Sequence, residues 1–325
     1  MSSDVVVTWP VFDSEGPTTG ALLKEAGLGI RLHPRTSNRT PAEVAEILGD
    51  AVGVIASTDT FDESVFAACP NLRVIARTGV GVDSIDIGAA TQAGVLVAIT
   101  PGANEQAVAD HALAMILALQ RRLAENNAAV QDGRWDRAGA LTPRDLYGAS
   151  VGLIGSGAIG RAVIERLRGF GCTIFVFDPY LDEAPEGTEL VDLPTLLERS
   201  DVVTVHAPLT TSTRGLLGTR EFAAMKKGSY VVNVSRGGII DEDALADAIR
   251  GGHLGGAGLD TFAREPIGDS PLRGLPSVIL SPHIAGLSQR SIAAMTEQAT
   301  RAVLDVVGGR LPEYPVNPEA MRPLG

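Results

Sequence analysis

Cysteine, aromatic side chains, basic charge and long apolar runs are all scarce in this sequence of 325 residues, and each shortage excludes a class of protein. The two cysteines, Cys69 and Cys172, stand far apart with neither metal-site nor redox spacing, so both are expected to be reduced core thiols of a cytoplasmic protein. The longest apolar run, residues 107–119, is too short to cross a bilayer and contains Asp110 and His111. The N-terminus MSSDVVVTWP lacks the basic segment and apolar stretch of a signal peptide, so neither membrane nor export is expected. A net charge of −12 provides no basic surface for nucleic acid or an anionic membrane, although a few arginines can still build a local pocket for a small anion. No histidine falls in an H-E-x-x-H or similar arrangement, so no metal site is expected. With 4% aromatics the core is left to Val, Ile, Leu and Ala, as in α/β proteins.

Short β-rich runs alternate with helical patterns along almost the whole chain, which predicts parallel sheets with helices on both faces. Strands are expected at 4–8, 29–32, 51–57, 72–76 and 95–97, with helices between them, for example 41–48 and 86–93. A long helical stretch is expected over about 107–131, with a Gly133-Arg134-Trp135 break after it. A second unit then runs from about Leu146, with later strands at 201–206, 230–234, 256–260 and 278–280. After Gly286 the helical run 291–307 has no further strand to cover in that unit and is expected to return to the first. The fold class is therefore α/β, with two Rossmann-like or flavodoxin-like parallel-sheet domains. The first is discontinuous, 1–101 with 288–325, and the second, 102–287, is inserted into it.

The most informative stretch is VGLIGSGAIGRAVIERLRGFGCTIFVFD, residues 151–178. It reads as strand 151–154, a G-x-G-x-x-G turn at Gly155, Gly157 and Gly160, helix 158–168, strand 173–177 and then Asp178. Glycines permit the sharp turn, the approach of backbone to a pyrophosphate and close helix–strand packing. The helix N-terminus presents free N–H groups to that anion. Asp178 stands where a carboxylate can accept hydrogen bonds from ribose hydroxyls. It would repel the 2′-phosphate of NADP, and residues 179–182 supply no Arg or Lys to hold one, so the sequence selects NAD.

Ligands of open parallel sheets bind beyond the carboxyl ends of the strands. Arg236, Glu265 and His283 each follow such an end in the second unit. Singly, each has an ordinary reading: a surface arginine, a solvated glutamate before Pro266, a histidine satisfied in the turn set by Pro282. Together, beside a dinucleotide turn, they suit hydride transfer to a 2-oxo acid. Histidine can supply the proton that the carbonyl oxygen needs. A neighbouring carboxylate favours the imidazolium and holds its orientation. Arginine pairs with a substrate carboxylate in a fork and polarises the carbonyl. His206, at another strand end, is expected on the cofactor side or in a structural role, and His111 as a hydrogen-bonded core residue. In the first domain, the glycine-rich turn at Arg77–Asp83 can act as an anion nest or be an ordinary βα turn. If the two domains face one another, it closes the cleft opposite the nicotinamide.

These motifs, in this order, resemble the D-isomer-specific 2-hydroxyacid dehydrogenases, particularly the shorter members similar to phosphoglycerate dehydrogenase and glyoxylate/hydroxypyruvate reductase. The likeness rests on ARTGVGVDSID, GSGAIG with FDP, HAPLT, VNVSRGGIIDEDAL, GLDTFAREP and SPHIAG, and covers nearly the full length. It implies that Arg236 binds and polarises substrate, Glu265 pairs with the histidine, and His283 is the acid/base. It implies NAD contacts from Gly155, Gly157, Ala158, Ile159, Gly160 and Asp178. Further contacts are implied from His206, Ala207, Pro208, Thr213, Val234, Ser235, His283, Ala285 and Gly286, while Asp260 holds the carboxamide. For a small anionic 2-oxo or 2-hydroxy acid it implies Val80 and Gly81 as the carboxylate loop, Asn104 and Arg236 nearby, and Arg77 as a possible second cation. A homodimer pairing through a helical segment at about 104–148 is implied as well, with Trp135 reaching toward the partner. Two departures stand out. Asp110 replaces a common Glu. Ala56-Ser57 replaces the Arg-Ser pair of phosphoglycerate enzymes, which weakens 3-phosphoglycerate as substrate, though Arg77 keeps a phosphorylated or phosphonylated acid open. The end at Gly325 predicts no regulatory domain of the kind some relatives carry. The same residues are compatible with a non-enzymatic, NAD-responsive interaction protein, since corepressors related to this family keep the fold and the catalytic residues.

Overall fold

The computed structural model describes residues 3–135 and 137–321, which divide into two compact units, 3–104 with 287–321 and 105–286. In the first unit, β1 (Asp4–Val7), β2 (Gly29–Leu32), β3 (Gly53–Ala56), β4 (Val74–Arg77) and β5 (Leu96–Ala98) form a parallel sheet in the order β2-β1-β3-β4-β5. The connections are α1 (Gly20–Glu25), α2 (Pro41–Leu48), α3 (Glu63–Ala68) and α4 (Ile87–Ala93). Their starts are written in the sequence. Thr40 and Glu43 form a reciprocal capping box with Pro41 at the first helical position, and Asp62 and Asp86 accept from the first-turn N–H groups of α3 and α4. The central strands β3 and β4 are buried at every position, as expected for strands covered on both faces, whereas edge strand β2 is partly exposed.

The second unit opens with α5 (Glu105–Gln120) and α6 (Leu123–Gln131). The helical stretch expected over 107–131 is thus two helices with a break at residues 121–122. Arg122 adopts a left-handed conformation (φ 48°), and the Arg144 N–H takes the Gln120 carbonyl at 2.7 Å. A partner distant in sequence thus replaces the helical bond, and no Gly or Pro announces the break.

There follow β6 (Ser150–Ile154), α7 (Ala158–Arg168), β7 (Thr173–Phe177), β8 (Glu189–Leu190), α8 (Leu193–Arg199), β9 (Val202–Val205), α9 (Thr219–Ala224), β10 (Tyr230–Asn233), α10 (Glu242–Arg250), β11 (Gly256–Leu259) and β12 (Val278–Leu280). The sheet is parallel throughout, in the order β12-β11-β10-β9-β6-β7-β8. Strands β6 and β9, adjacent in the sheet although β7 and β8 lie between them in sequence, mark its topological switch point.

Each sheet carries two apolar layers. In the second unit one layer joins Val108, Ala112, Met115 and Ile116 of α5 to Val163 and Leu167 of α7, and the other joins Leu196, Phe222 and Leu245 of α8–α10. An ion pair between Asp110 and Arg166 (2.7 Å) ties α5 to α7 at the surface. After β12, α11 (Gln289–Val307), capped by Ser288, belongs to the first unit. Its Met295, Ala299, Val303 and Val306 pack with Val5, Val7, Ile55 and Val74 of that sheet. A 3₁₀ turn at Pro318–Ala320 follows. Both cysteines are free; Cys69 is buried and Cys172 is half-buried against the core of the second unit. No helix is long and apolar enough to cross a membrane, among the described residues.

Leu167 is wholly buried where α7 meets the second sheet. Leu167→Ala is expected to destabilise the protein by about 2–5 kcal/mol, measured as a shift in the urea unfolding midpoint.

Candidate active site

The turn between β6 and α7 is shaped by what a side chain would strike. Gly155 has φ +92°, and a Cβ there would lie 2.8 Å from the His206 carbonyl oxygen. A Cβ at Gly160 would lie 2.4 Å from the Gly155 carbonyl oxygen. At Gly157 it would meet nothing within 4 Å, so the space over that residue is open. Ala158 is exposed and Ile159 half-buried. No side chain caps α7, which leaves its first N–H groups to an outside acceptor. Asp178 follows β7, with Oδ2 accepting from the Ser156 N–H (2.8 Å) and Oδ1 from the Tyr180 N–H (3.1 Å). Each oxygen keeps a further lone pair.

His206 lies beside this turn with Nε2 2.9 Å from Thr204 Oγ1, while its buried Nδ1 and the buried Ser156 hydroxyl have no hydrogen-bond partner. Ala207 follows, and the Thr213 hydroxyl donates to the Pro208 carbonyl (2.6 Å), closing the loop.

The three residues expected to do chemistry come together. Arg236 and Ser235 follow β10, just after buried Val234. The turn is held by Asn233, which is fully buried; its Nδ2 donates to the Arg236 carbonyl (2.9 Å) and its Oδ1 accepts from Ser235 N–H (3.0 Å). Arg236 Nη1 donates to the Ser235 carbonyl (2.8 Å). Gly237 is required by close approach, since a Cβ there would sit 1.9 Å from the Phe262 carbonyl oxygen. That contact sets the Arg236 loop against the loop carrying Glu265.

Glu265 Oε1 accepts the Phe262 N–H (3.0 Å), and Oε2 lies 2.8 Å from His283 Nδ1. Burial by itself pushes the Glu265 carboxyl up. The hydrogen bond and charge of His283, the Phe262 N–H and the Arg236 charge outweigh it and hold the group below its ordinary value. Glu265 is thus the ionised partner, able only to accept, so His283 Nδ1 carries the proton and Nε2 is left for other work.

His283 itself is left-handed (φ 55°), an uncommon conformation for a side chain of its size. Asp260, just after β11 and fully buried, holds it there. The Asp260 carbonyl accepts the His283 N–H (2.9 Å), Oδ1 accepts the Ile284 N–H (2.9 Å), and Oδ2 accepts the Ala285 N–H (2.7 Å). The Ser281 hydroxyl also donates to Oδ1. One aspartate therefore binds three consecutive residues, and Gly286 follows them. Asn233 and Ser281 were not singled out from the sequence. A lone Asn closing the apolar strand VVNV is the signal for the first; a serine before Pro gives none.

The remaining expected residues lie in the first unit. Thr100 clasps the turn after β4, accepting the Gly79 N–H (2.7 Å) and donating its own N–H to the Gly79 carbonyl (3.0 Å). Among the described residues, no hydrogen bond engages the N–H of Val80 or Gly81. Arg77 is buried, with Nη1 donating to the Thr78 carbonyl. Ala56 is wholly buried, and Asn104 keeps a buried Oδ1 without a partner. No group of acids, cysteines and histidines that could hold a metal occurs among the described residues.

Comparison with known proteins agrees with this geometry. Residues 113–285 match the family described as D-isomer specific 2-hydroxyacid dehydrogenase, NAD binding domain. The chain is 40% identical over 264 residues to a D-3-phosphoglycerate dehydrogenase of Mycobacterium bovis, covering 80% of this chain and 50% of that protein. It thus spans about half the length of such relatives. Against a glyoxylate reductase of Korarchaeum cryptofilum it is 39% identical over 272 residues, 82% of each chain. The solved structure of TT0316 protein from Thermus thermophilus matches with a TM-score of 0.89 at 36% identity, over 96% of this chain and 99% of that one. The chain belongs to the D-isomer-specific 2-hydroxyacid dehydrogenase family, and its second unit is the NAD-binding one. The residues present fit NAD: an uncapped helix N-terminus, open space over Gly157, two orphaned buried polar atoms beside it, and an acid after β7 with no cation in 179–182.

Burial pushes His206 down to about 4 from an ordinary 6.5. The unfolded chain then takes up this proton first as pH falls, so the stabilisation from a neutral His206 is complete above about 6.5 and is lost progressively toward 4. His206→Gln is expected to flatten that part of the stability–pH curve, measured by urea unfolding at stepped pH.

Proposed function

We propose that this chain is an NAD-dependent oxidoreductase that interconverts a small 2-oxo acid and its D-2-hydroxy acid. The observation that carries the reading is the 2.8 Å bond from His283 Nδ1 to Glu265 Oε2, beside Arg236 at the carboxyl edge of an NAD-binding sheet. When bound, NAD supplies the exchange of a hydride with substrate C2. Everything else falls to the protein. Arg236 pairs with the substrate carboxylate and draws electron density toward the carbonyl oxygen. His283 gives that oxygen a proton from Nε2 in reduction and removes one from the hydroxyl in oxidation. Glu265 keeps the ring oriented and offsets the positive charge that the acid form carries. In the first unit, Val80, Gly81 and Asn104 are the candidates for substrate binding by the family resemblance, the N–H groups of Val80 and Gly81 forming the anion nest. On the cofactor side the residues of the 155–160 turn, Asp178, the 206–213 loop, Val234, Ser235, Asp260, Ala285 and Gly286 serve as contacts.

Ala56 places a small neutral group at the end of the third strand, which favours an unphosphorylated acid of glyoxylate or hydroxypyruvate size. Arg77 is the residue to which a phosphate or phosphonate tail would turn. A cytoplasmic homodimer fits two free cysteines and the exposed Leu123, Val130, Trp135 and Tyr147 in or near the 104–148 segment.

The test is NADH oxidation at 340 nm with glyoxylate, hydroxypyruvate, pyruvate, phosphonopyruvate and 3-phosphohydroxypyruvate. Turnover is expected with the first two. Absence of turnover with all five, by protein that binds NADH, would overturn the enzymatic reading, and NADH-dependent capture of a partner protein would then favour an interaction role. His283→Ala is expected to lower kcat by ~10²–10⁴-fold with NADH affinity retained. Wild-type turnover in that variant removes the histidine from the mechanism. Sedimentation equilibrium checks the dimer.

A further inference from the structure

The mechanism above leaves His111 idle, yet it occupies a defined place. It lies in α5, half-buried, with Nε2 3.0 Å from Ser281 Oγ and 3.8 Å from Asp260 Oδ1. The route by which α5 brings it there is visible. One turn on, Met115 packs over Gly258, where a Cβ would stand only 3.1 Å away, and Gly258 lies two residues before Asp260. The missing side chain lets the helix settle over β11, and the preceding turn then overlies the Asp260 carboxylate.

The polarity of the contacts follows from hydrogen-bond capacity. A carboxylate can only accept, so Ser281 spends its single hydroxyl proton on Asp260. Toward His111 the Ser281 oxygen is therefore an acceptor, and Nε2 of His111 must carry a proton. The chain runs His111 Nε2–H to Ser281 O–H to Asp260, whose carboxylate also receives the Ile284 and Ala285 N–H groups. A hydroxyl that accepts a bond donates a stronger one, so His111 tightens the bond that completes the aspartate's shell.

We propose that His111 is a positioning residue. Acting through Ser281 and Asp260, it stiffens the 283–285 turn and so keeps the His283 ring where it meets the substrate. This inference rests on the reading of His283 as the acid/base. A histidine merely satisfied in the core would share the contact but would not affect turnover.

The test compares His111→Leu, His111→Gln and Ser281→Ala with wild type and His283→Ala in the full-length protein. Amide hydrogen exchange of residues 283–285 and thermal stability are measured beside kcat and KM for whichever acid of the panel is turned over. His111→Leu and Ser281→Ala are each expected to speed exchange of the three amides by about tenfold and to lower kcat by roughly three- to tenfold, with substrate KM little changed. A variant combining His111→Leu with Ser281→Ala should lose no more than either single one, since both break one chain. His111→Gln, whose amide can donate to Ser281, should recover both readouts. Unchanged exchange and kcat in His111→Leu would overturn the proposal. So would additive losses in the double variant, or a Gln variant no better than Leu at equal thermal stability. Should wild type turn over no acid of the panel, the enzymatic reading fails while the exchange data still decide whether His111 holds the turn.

Discussion

A single buried carboxylate organises the chemistry of this protein. Among the described residues the Asp260 carboxylate accepts three hydrogen bonds, from the Ile284 and Ala285 N–H groups and the Ser281 hydroxyl, while its main-chain carbonyl accepts the His283 N–H. A buried charge without partners would cost several kcal/mol, so these donors are what permit it. In return the carboxylate and carbonyl of Asp260 together hold the 283–285 turn, with His283 in a left-handed conformation that a free loop would rarely adopt. The direction of the imidazole, and hence its bond to Glu265, depends on that clamp.

The same logic recurs along the sheet edge. Asn233 plays a similar part for Arg236: a polar side chain, wholly buried at the end of an apolar strand, is satisfied by main-chain groups of the loop it holds. Those groups belong to Ser235 and Arg236 just after it, whereas those of Asp260 come from the loop after β12. Glycine supplies the complementary device. Gly237 lets two active-site loops touch, Gly160 lets α7 approach the 155 turn, and Gly258 lets α5 settle on β11. Chemistry at the strand ends thus rests on small or hydrogen-bonding residues placed one step behind the groups that react.

Much of this was legible in the sequence. Parallel strands buried on both faces appear as unbroken apolar runs, so the two sheets and the glycine turn could be placed to within a few residues. The trio could be named because all three residues follow strand ends. The break at Arg122 could not, because its cause is the Arg144 N–H taking the Gln120 carbonyl from a distance in sequence. The two-residue strand β8 carries too little pattern to stand out, and Ser281 looks like any serine before proline. The sequence presents His111 as a hydrogen-bonded core histidine, and only the spatial meeting of α5 with the end of β11 shows what it bonds to. Local pattern reveals elements; the supports behind the reacting groups are tertiary contacts and leave no periodic trace.

The central claim is that Glu265 fixes the imidazole of His283 so that Nε2 is the atom offered to substrate. The most direct measurement is ¹⁵N NMR of histidine-labelled protein, with the His283 signals assigned by comparison with His283→Ala, recorded where the ring is neutral. The account predicts a proton on Nδ1, bonded to Glu265, and a bare Nε2, with the preference lost in Glu265→Gln. A neutral His283 protonated on Nε2 in the wild-type protein would contradict it.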